Sequence, residues 1–163
     1  MKISFLSKRD TSNLVKLIRK KWPEDIIPKI KSFKVYEIED GKRILNFENF
    51  TAVQINESII LPFLGKYEIL EYFPTVNVDM GAVKFVCNGA NIMRPGITSF
   101  DIFKKDDIVT VKDQAHAKIL AVGIAVEDSQ VAVTKAKGCI INNFHYISDK
   151  VWEAYKEIDA RSL

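Results

Sequence analysis

The sequence predicts an α+β fold in two units that meet near Phe73-Pro74. One amphipathic helix comes first and short strand-like segments follow it, and the hydrophobic pattern changes at Pro74. Hydrophobic residues make up 47% of the 163 residues, which is enough to fill a core without disulfides or metals. We therefore expect a small N-terminal α+β domain over residues 1–73 and a mostly β domain with a C-terminal helix over residues 74–163.

The N-terminal unit opens with a predicted helix. Its apolar positions recur at helical spacing and are Leu14, Val15, Ile18 and Trp22. Asp10-Thr11-Ser12 offers N-cap chemistry before this pattern, and Pro23 ends it. The opposite face is basic, with Lys16, Arg19 and Lys20. A solvated surface is the simpler interpretation of such a face, and a functional one stays open.

Strand-like segments fill the rest of the N-terminal unit. Residues 33–39 and 43–47 flank Asp40-Gly41, which is a strong hairpin signal. The composition predicts a further strand over residues 50–55, a pairing segment over 58–63 and a short helix over 66–73. These segments complete a small α+β unit.

The second unit alternates strands with short helices and turns. Val76 and Val78 alternate with polar residues, as on a strand, and Asp79 is expected to cap a helix over about residues 80–88. A tight turn is expected at Met93-Arg94-Pro95-Gly96. The remaining elements are strands over residues 108–111, 119–126 and 140–147 and helices over residues 131–137 and 149–158. Gly123 predicts a bulge or a close backbone approach in its strand.

The sequence shows no motif for catalysis, for a cofactor or for a metal. Dinucleotide, P-loop, zinc-protease and nucleophile-elbow patterns do not occur. The two histidines are His116, in a predicted exposed turn, and His145, in a strand where a structural role is the favoured interpretation. Cys87 and Cys139 form no CxxC pair and are expected to be buried small hydrophobes. We therefore predict no catalytic residues, no metal and no cofactor.

Charge and targeting patterns suggest a cytoplasmic protein without a membrane partner. The net charge of +3 permits nucleic-acid binding through a local patch without demanding it. No apolar run has the length of a signal peptide or a membrane span. Two free thiols are typical of a reducing compartment.

Residues 78–97 are the most informative stretch. Its small residues, which let a partner approach the backbone, are Gly81, Ala82, Gly89, Ala90 and Gly96. A helix that starts after a strand can direct N–H groups toward an anion such as phosphate, and Lys84, Asn91 and Arg94 supply further donors. From the residues by themselves, glycines that merely serve turns are the simpler interpretation.

This stretch closely resembles the opening of PUA domains, the module named after pseudouridine synthases and archaeosine transglycosylases. The resemblance is greatest to the malignant-T-cell-amplified-sequence family and its archaeal relatives. The segments that carry it are residues 78–86, Gly89-Ala90-Asn91-Ile92-Met93 with Pro95-Gly96, and Asn143-Phe144-His145-Tyr146 followed by Asp149 and Trp152. Two departures are Ile119, where many PUA domains have proline, and Arg94, a basic residue in a turn that is often non-basic.

The resemblance implies a β pseudo-barrel that binds structured RNA beside an N-terminal α+β domain. It also implies work in translation: contact with a tRNA acceptor end or rRNA on the small ribosomal subunit, with a partner of the density-regulated type and no catalysis. The predicted RNA-binding residues are Lys84, Asn91, Arg94, Pro95, Gly96, Lys104, Lys105, Lys118, Lys137 and Tyr146. Phe100 or Tyr146 is a candidate for stacking on a base, although both residue types are more often in the core.

Two rival functions stay open from the sequence. The first is an RNA-modification enzyme, or its accessory subunit, that docks tRNA or rRNA through the PUA domain and has its chemistry in residues 1–72. That segment contains no histidine and no cysteine, which weighs against it. The second is a PUA fold that serves only as a protein-interaction platform.

Overall fold

The computed structural model describes residues 1–161. The N-terminal unit is a five-stranded antiparallel sheet in which the strands follow one another in sequence order. Its strands are β1 (Lys2–Phe5), β2 (Lys34–Glu37), β3 (Arg43–Phe47), β4 (Phe50–Gln54) and β5 (Ile60–Pro62). Its helices are α1 (Lys8–Lys21) and α2 (Tyr67–Leu70), with short 3₁₀ turns at Glu24–Ile26 and Glu39–Gly41.

The hairpin predicted at Asp40-Gly41 is confirmed. Strands β2 and β3 pair antiparallel with Lys34 opposite Asn46, and the two turn residues have φ angles of 63° and 75°. Asp and Gly tolerate this left-handed region better than other residues, which is why this dipeptide allows the chain to reverse. Strand β1 was not predicted, because four residues carry little periodicity and its partner β2 lies some thirty residues away in the sequence.

Helix α1 begins about one turn before the predicted cap. Ser7 caps it, since its hydroxyl oxygen accepts a hydrogen bond from the Asp10 amide at 3.0 Å. The predicted cap at Asp10-Thr11-Ser12 is therefore wrong: the Thr11 hydroxyl is buried and accepts from the Phe33 amide at 3.2 Å instead. The first turn of the helix is polar, so apolar spacing could not reveal where the helix begins.

Replacing the capping serine tests this correction. We expect Ser7→Ala to lower the free energy of unfolding by about 1 kcal/mol, because one amide of the first turn loses its acceptor. Ser12→Ala, an exposed change inside α1, is the matched control and is expected to cost nothing. Urea denaturation measures both, and a larger loss from Ser12→Ala would restore the later cap.

The second unit is a six-stranded sheet that curls into a nearly closed barrel. Its order is β7-β11-β10-β9-β6-β8, and only the β6–β9 pair is parallel. The strands are β6 (Thr75–Val78), β7 (Ile92–Met93), β8 (Ile97–Phe100), β9 (Ile108–Asp113), β10 (Ile119–Ala125) and β11 (Cys139–Tyr146). The two edge strands, β7 and β8, are joined by only the 3₁₀ turn Arg94–Gly96, so the edges must meet. This architecture confirms the predicted fold class.

Helix lengths in the second unit differ from the predictions. The helix expected over residues 80–88 is confined to α3 (Val83–Val86), and the one expected over 131–137 is α4 (Ser129–Ala132). Asp79 does accept a hydrogen bond from the Ala82 amide at 2.9 Å, but it caps a turn that leads into α3. Strands β7 and β8 were missed because two and four residues give no readable alternation.

Gly123 lies where the sequence predicted a bulge or a close approach, and the prediction is confirmed. The register between β10 and β11 shifts between Val122 and Gly123. A Cβ atom added at Gly123 would lie 2.1 Å from the carbonyl oxygen of Asn142. The two backbones therefore approach too closely for any side chain at this position.

The last helix, α5 (Lys150–Arg161), returns to the N-terminal sheet. Val151 and Ile158 pack against Tyr36, Ile44 and Val53 on one face of that sheet. Helix α1 covers the other face, where its buried residues join a core shared with both units. Because α5 follows β11 in the chain but packs on the first sheet, a domain boundary at residue 73 stays a prediction.

His145 joins the two units, which confirms its predicted structural role. Its Nε2 atom accepts a hydrogen bond from the buried Leu64 amide at 3.1 Å, so the proton must sit on Nδ1, which donates to Asp149 at 2.7 Å. Burial alone would raise the pKa of Asp149, but the hydrogen bond from His145 and the amides of Trp152 and Tyr146 hold that pKa below its ordinary value. Trp152 stacks on Phe63 at 5.9 Å, as expected of an anchor for the last helix.

Candidate nucleic-acid interface

A groove of about 430 Å³ opens at one end of the barrel. One wall is the loop from Asp79 to Asn91 that contains α3, and the other is β7 with the turn to Gly96. Apart from Asp79 and Asn91, the residues that line it are apolar or glycine. Pro95 and Gly96, both predicted site residues, line it.

Small residues set the width of this groove. The Asp79 amide donates to the carbonyl of Gly96 at 2.9 Å, so the two walls touch at their base. A Cβ atom at Gly96 would lie 3.3 Å from the Cβ atom of Ala82. A larger side chain at either position would therefore fill the groove and keep a ligand away from the backbone.

The side chain of Asn143 holds the outer wall in place. Its Nδ2 atom donates to the carbonyls of Val86 and Ala90 at 3.1 and 3.0 Å, and its amide donates to Oδ1 of Asn91 at 2.9 Å. Asn91 therefore uses its oxygen for the fold, while its Nδ2 atom makes no hydrogen bond within residues 1–161. The contact of Asn91 with RNA stays a prediction, and this nitrogen is an available donor for it.

Tyr146 packs beneath the same wall. Gly89 adopts a φ of 91°, and a Cβ atom there would lie 3.0 Å from the Tyr146 ring. Phe100 is also occupied, because its ring lies 5.8 Å from Phe103 and under the Arg94 guanidinium. Both residues are partly exposed, and the stacking of either ring on a base stays a prediction.

Arg94 is engaged with the protein. Its Nε atom donates to the Ala132 carbonyl at 3.0 Å and its Nη1 atom to the Ile97 carbonyl at 3.3 Å. The guanidinium carbon also lies 5.5 Å from the centre of the Phe100 ring. These contacts hold the turn that carries Pro95 and Gly96, and a phosphate contact by Arg94 stays a prediction.

Three predicted lysines lie near residues that build the groove or its turn. Lys84 is exposed on α3, and its Nζ atom lies 5.6 Å from the Phe85 ring. Lys118 lies near Cys87: burial raises the pKa of that thiol and the lysine charge partly offsets the rise. Lys137 precedes Gly138, whose carbonyl accepts from the Arg94 amide at 2.8 Å. None of these ammonium groups has a carboxylate partner within residues 1–161, so their charge is available to phosphates.

Lys104 and Lys105 lie at the opposite end. Their turn follows β8, which runs away from the groove, and it leads into β9, where Thr110 pairs with Thr75 at the start of β6. Their amides donate to the carboxylates of Asp107 and Asp128, so acidic groups surround them. Strand register decides which end of a barrel a turn occupies, and composition could not show it.

The sequence did not predict the exposed apolar side chains around the groove. Phe85 is 57% exposed, and Met80 and Met93 are 46% and 49% exposed. Helical spacing gave no sign of this, because α3 is one turn long. A helix of this length aligns few peptide dipoles, and anion binding at its start stays untested. The geometry instead suits an unstacked base on an apolar surface, with phosphates near the lysines.

Other chemistry finds little support in the described residues. Within residues 1–161, no group of three or more His, Cys, Asp or Glu side chains is placed to hold a metal ion. Cys87 and Cys139 are both partly buried free thiols, and burial raises the pKa of each. His116 is exposed in a turn, as predicted. Across residues 1–161, none of the helices combines the length and the apolar character that crossing a membrane requires.

Comparisons with known proteins agree with this geometry. The PUA domain family matches residues 74–147. The crystal structure of a hypothetical protein from the hyperthermophilic archaeon Pyrococcus horikoshii OT3 superimposes with a TM-score of 0.77 at 28% identity, over 94% of this chain and 99% of that one. The predicted two-part architecture is therefore shared by a solved structure.

Three relatives match across both units. An uncharacterized protein of Methanocaldococcus jannaschii is 35% identical over 154 residues, which are 91% of this chain and 93% of that protein. Translation machinery-associated protein 20 of Eremothecium gossypii is 32% identical over 79% of this chain and 76% of its own length. The malignant T-cell-amplified sequence 1 homolog of Drosophila melanogaster is 30% identical over 79% of this chain and 75% of its own length. The chain thus belongs to the family of PUA-domain proteins that contains translation machinery-associated protein 20 and the malignant T-cell-amplified sequence proteins.

Proposed function

We propose that this protein is a non-enzymatic, cytoplasmic translation factor that binds tRNA or rRNA on the small ribosomal subunit. The groove between the Asp79–Asn91 loop and the Met93–Gly96 turn carries the proposal. Its lining is apolar and glycine-rich, and Phe85 and Lys84 stand at its rim. Membership of a family whose relatives are named for the translation machinery supports the same role.

The proposed mechanism is recognition of a single-stranded RNA end. An unpaired base can rest on the exposed Phe85 ring, because every base has a π face and stacking tolerates any sequence. Gly96 and Ala82 let the backbone of the RNA approach that of the protein. Lys84, Lys118 and Lys137 neutralise the adjacent phosphates. No bond is made or broken, so the protein acts by holding the RNA in place.

The N-terminal unit supplies the second half of the proposed role. It contacts the ribosome or a partner protein of the density-regulated type, while the barrel holds RNA. The core shared by α1, the first sheet and β10 makes the two units one rigid platform. A rigid platform would orient RNA relative to the partner surface.

A titration with deacylated tRNA tests whether the groove recognises the single-stranded end of the RNA. Two tRNAs are compared, one intact and one without its single-stranded acceptor end, each at two salt concentrations. We expect tighter binding of intact tRNA, and weaker binding of both at the higher salt, because phosphate contacts release counterions. Equal affinity for the two tRNAs would contradict the proposed role of the groove.

Phe85→Ala is the informative variant in the same titration. Loss of one stacked base, about 1–3 kcal/mol, should weaken binding of intact tRNA by about 5- to 150-fold and leave trimmed tRNA unaffected. Tyr72→Ala is the matched control, since Tyr72 is an aromatic residue with a similar exposure of 60% and lies before β6, away from the groove. Equal effects of both variants would count against stacking in the groove. Arg94→Ala is less informative because it also disturbs the turn.

An assay for RNA modification addresses the rival function. The purified protein is incubated with tRNA and rRNA, and the nucleosides are analysed by mass spectrometry. We expect no new modified nucleoside. A modification made by the protein alone would replace the translation-factor proposal with an enzyme.

A further inference from the structure

The positive charge of this protein is concentrated on α1. Residues 8–21 include six basic side chains and one acidic, a net charge of +5, whereas the whole chain has a net charge of +3. The rest of the chain therefore has a net charge of −2. A basic helix on an otherwise slightly acidic protein produces a local field that the net charge conceals.

The basic residues of α1 form a straight stripe on its outer face. The face toward the core is made by Thr11, Val15 and Ile18, which are buried. The opposite face carries Arg9, Asn13, Lys16 and Lys20, which are successively four, three and four positions apart, and all four are exposed. From Arg9 to Lys20 the stripe runs about 16 Å at about 1.5 Å per residue. We call these four residues the α1 stripe.

The stripe has no internal counter-charge. Within residues 1–161, no carboxylate forms an ion pair with Arg9, Lys16 or Lys20, whereas the neighbouring Arg19 pairs with Glu24 at 3.2 Å. Lys16 and Lys20 stand four positions apart, where like charges destabilise a helix. An anionic partner would relieve this repulsion, and only such a partner matches three unpaired cations in a row with a hydrogen-bonding amide between them.

We infer that the α1 stripe is a second RNA-binding surface, which contacts the phosphate backbone of structured RNA. The inference rests on the proposed RNA-binding function and deepens it. The groove would take the single-stranded end, while the stripe, on the other unit, would take a base-paired region of the same RNA. Two weak contacts on one rigid platform raise the overall affinity, because the second contact forms at a high effective concentration. The stripe reads no sequence, since phosphates carry none.

A charge-removal variant tests the stripe. Arg9, Lys16 and Lys20 are all replaced by glutamine, which has nearly the same helix propensity as lysine. The matched control replaces Lys150, Lys156 and Arg161 by glutamine, so it removes the same charge from exposed positions of another helix, α5. Each protein is titrated with intact and with trimmed tRNA between 50 and 200 mM salt, and circular dichroism checks that it is folded.

Loss of three phosphate contacts should reduce the slope of log affinity against log salt by about 2–3. Between these salt concentrations, wild-type affinity should therefore fall about 15- to 60-fold more than that of the stripe variant, for both RNAs. The α5 variant should keep the wild-type slope. An unchanged slope in a folded stripe variant, or an equal change in the α5 variant, would overturn the inference. A different result would contradict the proposed function, namely that trimming the RNA end has no effect on binding by the wild-type protein.

Discussion

His145→Ala is expected to lower the free energy of unfolding by about 3–5 kcal/mol. The imidazole is fully buried and is the only hydrogen-bond acceptor of the Leu64 amide among residues 1–161. Its loss leaves a buried N–H unsatisfied, at a cost of about 1–3 kcal/mol. It also removes a hydrogen-bond donor from the buried Asp149 carboxylate and leaves a cavity where the ring was, and truncation of a fully buried ring to alanine costs about 3–5 kcal/mol. These costs overlap, so we do not add them.

The exposed histidine supplies the control for this prediction. His116→Ala changes the same residue type in a turn on the surface and is expected to alter stability by less than about 0.5 kcal/mol. Urea denaturation at neutral pH measures both variants. If His145→Ala cost less than about 1 kcal/mol, the junction between Leu64 and β11 would be unimportant for folding, and the two units would be held together by apolar packing.

The pH dependence of stability provides a second measurement of the same contact. The pKa of Asp149 in the folded protein lies below the ordinary value of about 3.9 for the unfolded chain, so its ionised form stabilises the fold. That contribution is fully present above about pH 4 and is lost as the pH falls through the folded pKa. In His145→Ala the pKa of Asp149 should move up toward its ordinary value, so less stability is left to lose in acid.

Gly123→Ala is expected to cost about 3 kcal/mol or more. The new methyl group would lie 2.1 Å from the Asn142 carbonyl oxygen and 2.7 Å from the Ile141 side chain. The nearer of these atoms is backbone in the β10–β11 ladder, so no rotamer change can relieve the clash and the strands must separate. RNA binding should weaken as well, because Asn143, the residue after Asn142, holds the outer wall of the groove.

Gly81→Ala is the matched glycine control. The nearest atom to its added Cβ would be Oδ1 of Asp79 at 3.4 Å, an ordinary contact, and its φ is not positive. We expect its stability to stay within about 1 kcal/mol of wild type, with a gain from reduced freedom of the unfolded chain. Thermal and urea unfolding compare the two variants. A Gly123→Ala protein as stable as Gly81→Ala would show that the two strands can separate at little cost.

The sequence by itself determined the family, the fold class and most of the strands. The match to PUA domains lies in residues 74–147, where small residues, a turn and a glycine-broken strand follow one another at fixed spacing. These are local features, since a turn or a bulge places demands on the residue at that position. The Asp40-Gly41 hairpin and Gly123 were predictable for this reason.

Only the tertiary structure decided which side chains lie together. The Leu64–His145 contact joins residues 81 positions apart, and Asn143 holds a wall more than fifty positions away. Strand register placed Lys104 and Lys105 at the end away from the groove, and the fold brings two backbone carbonyls to the Arg94 guanidinium. Composition cannot reveal such pairings, because a shift of one residue in register would turn every side chain of a strand to the other face.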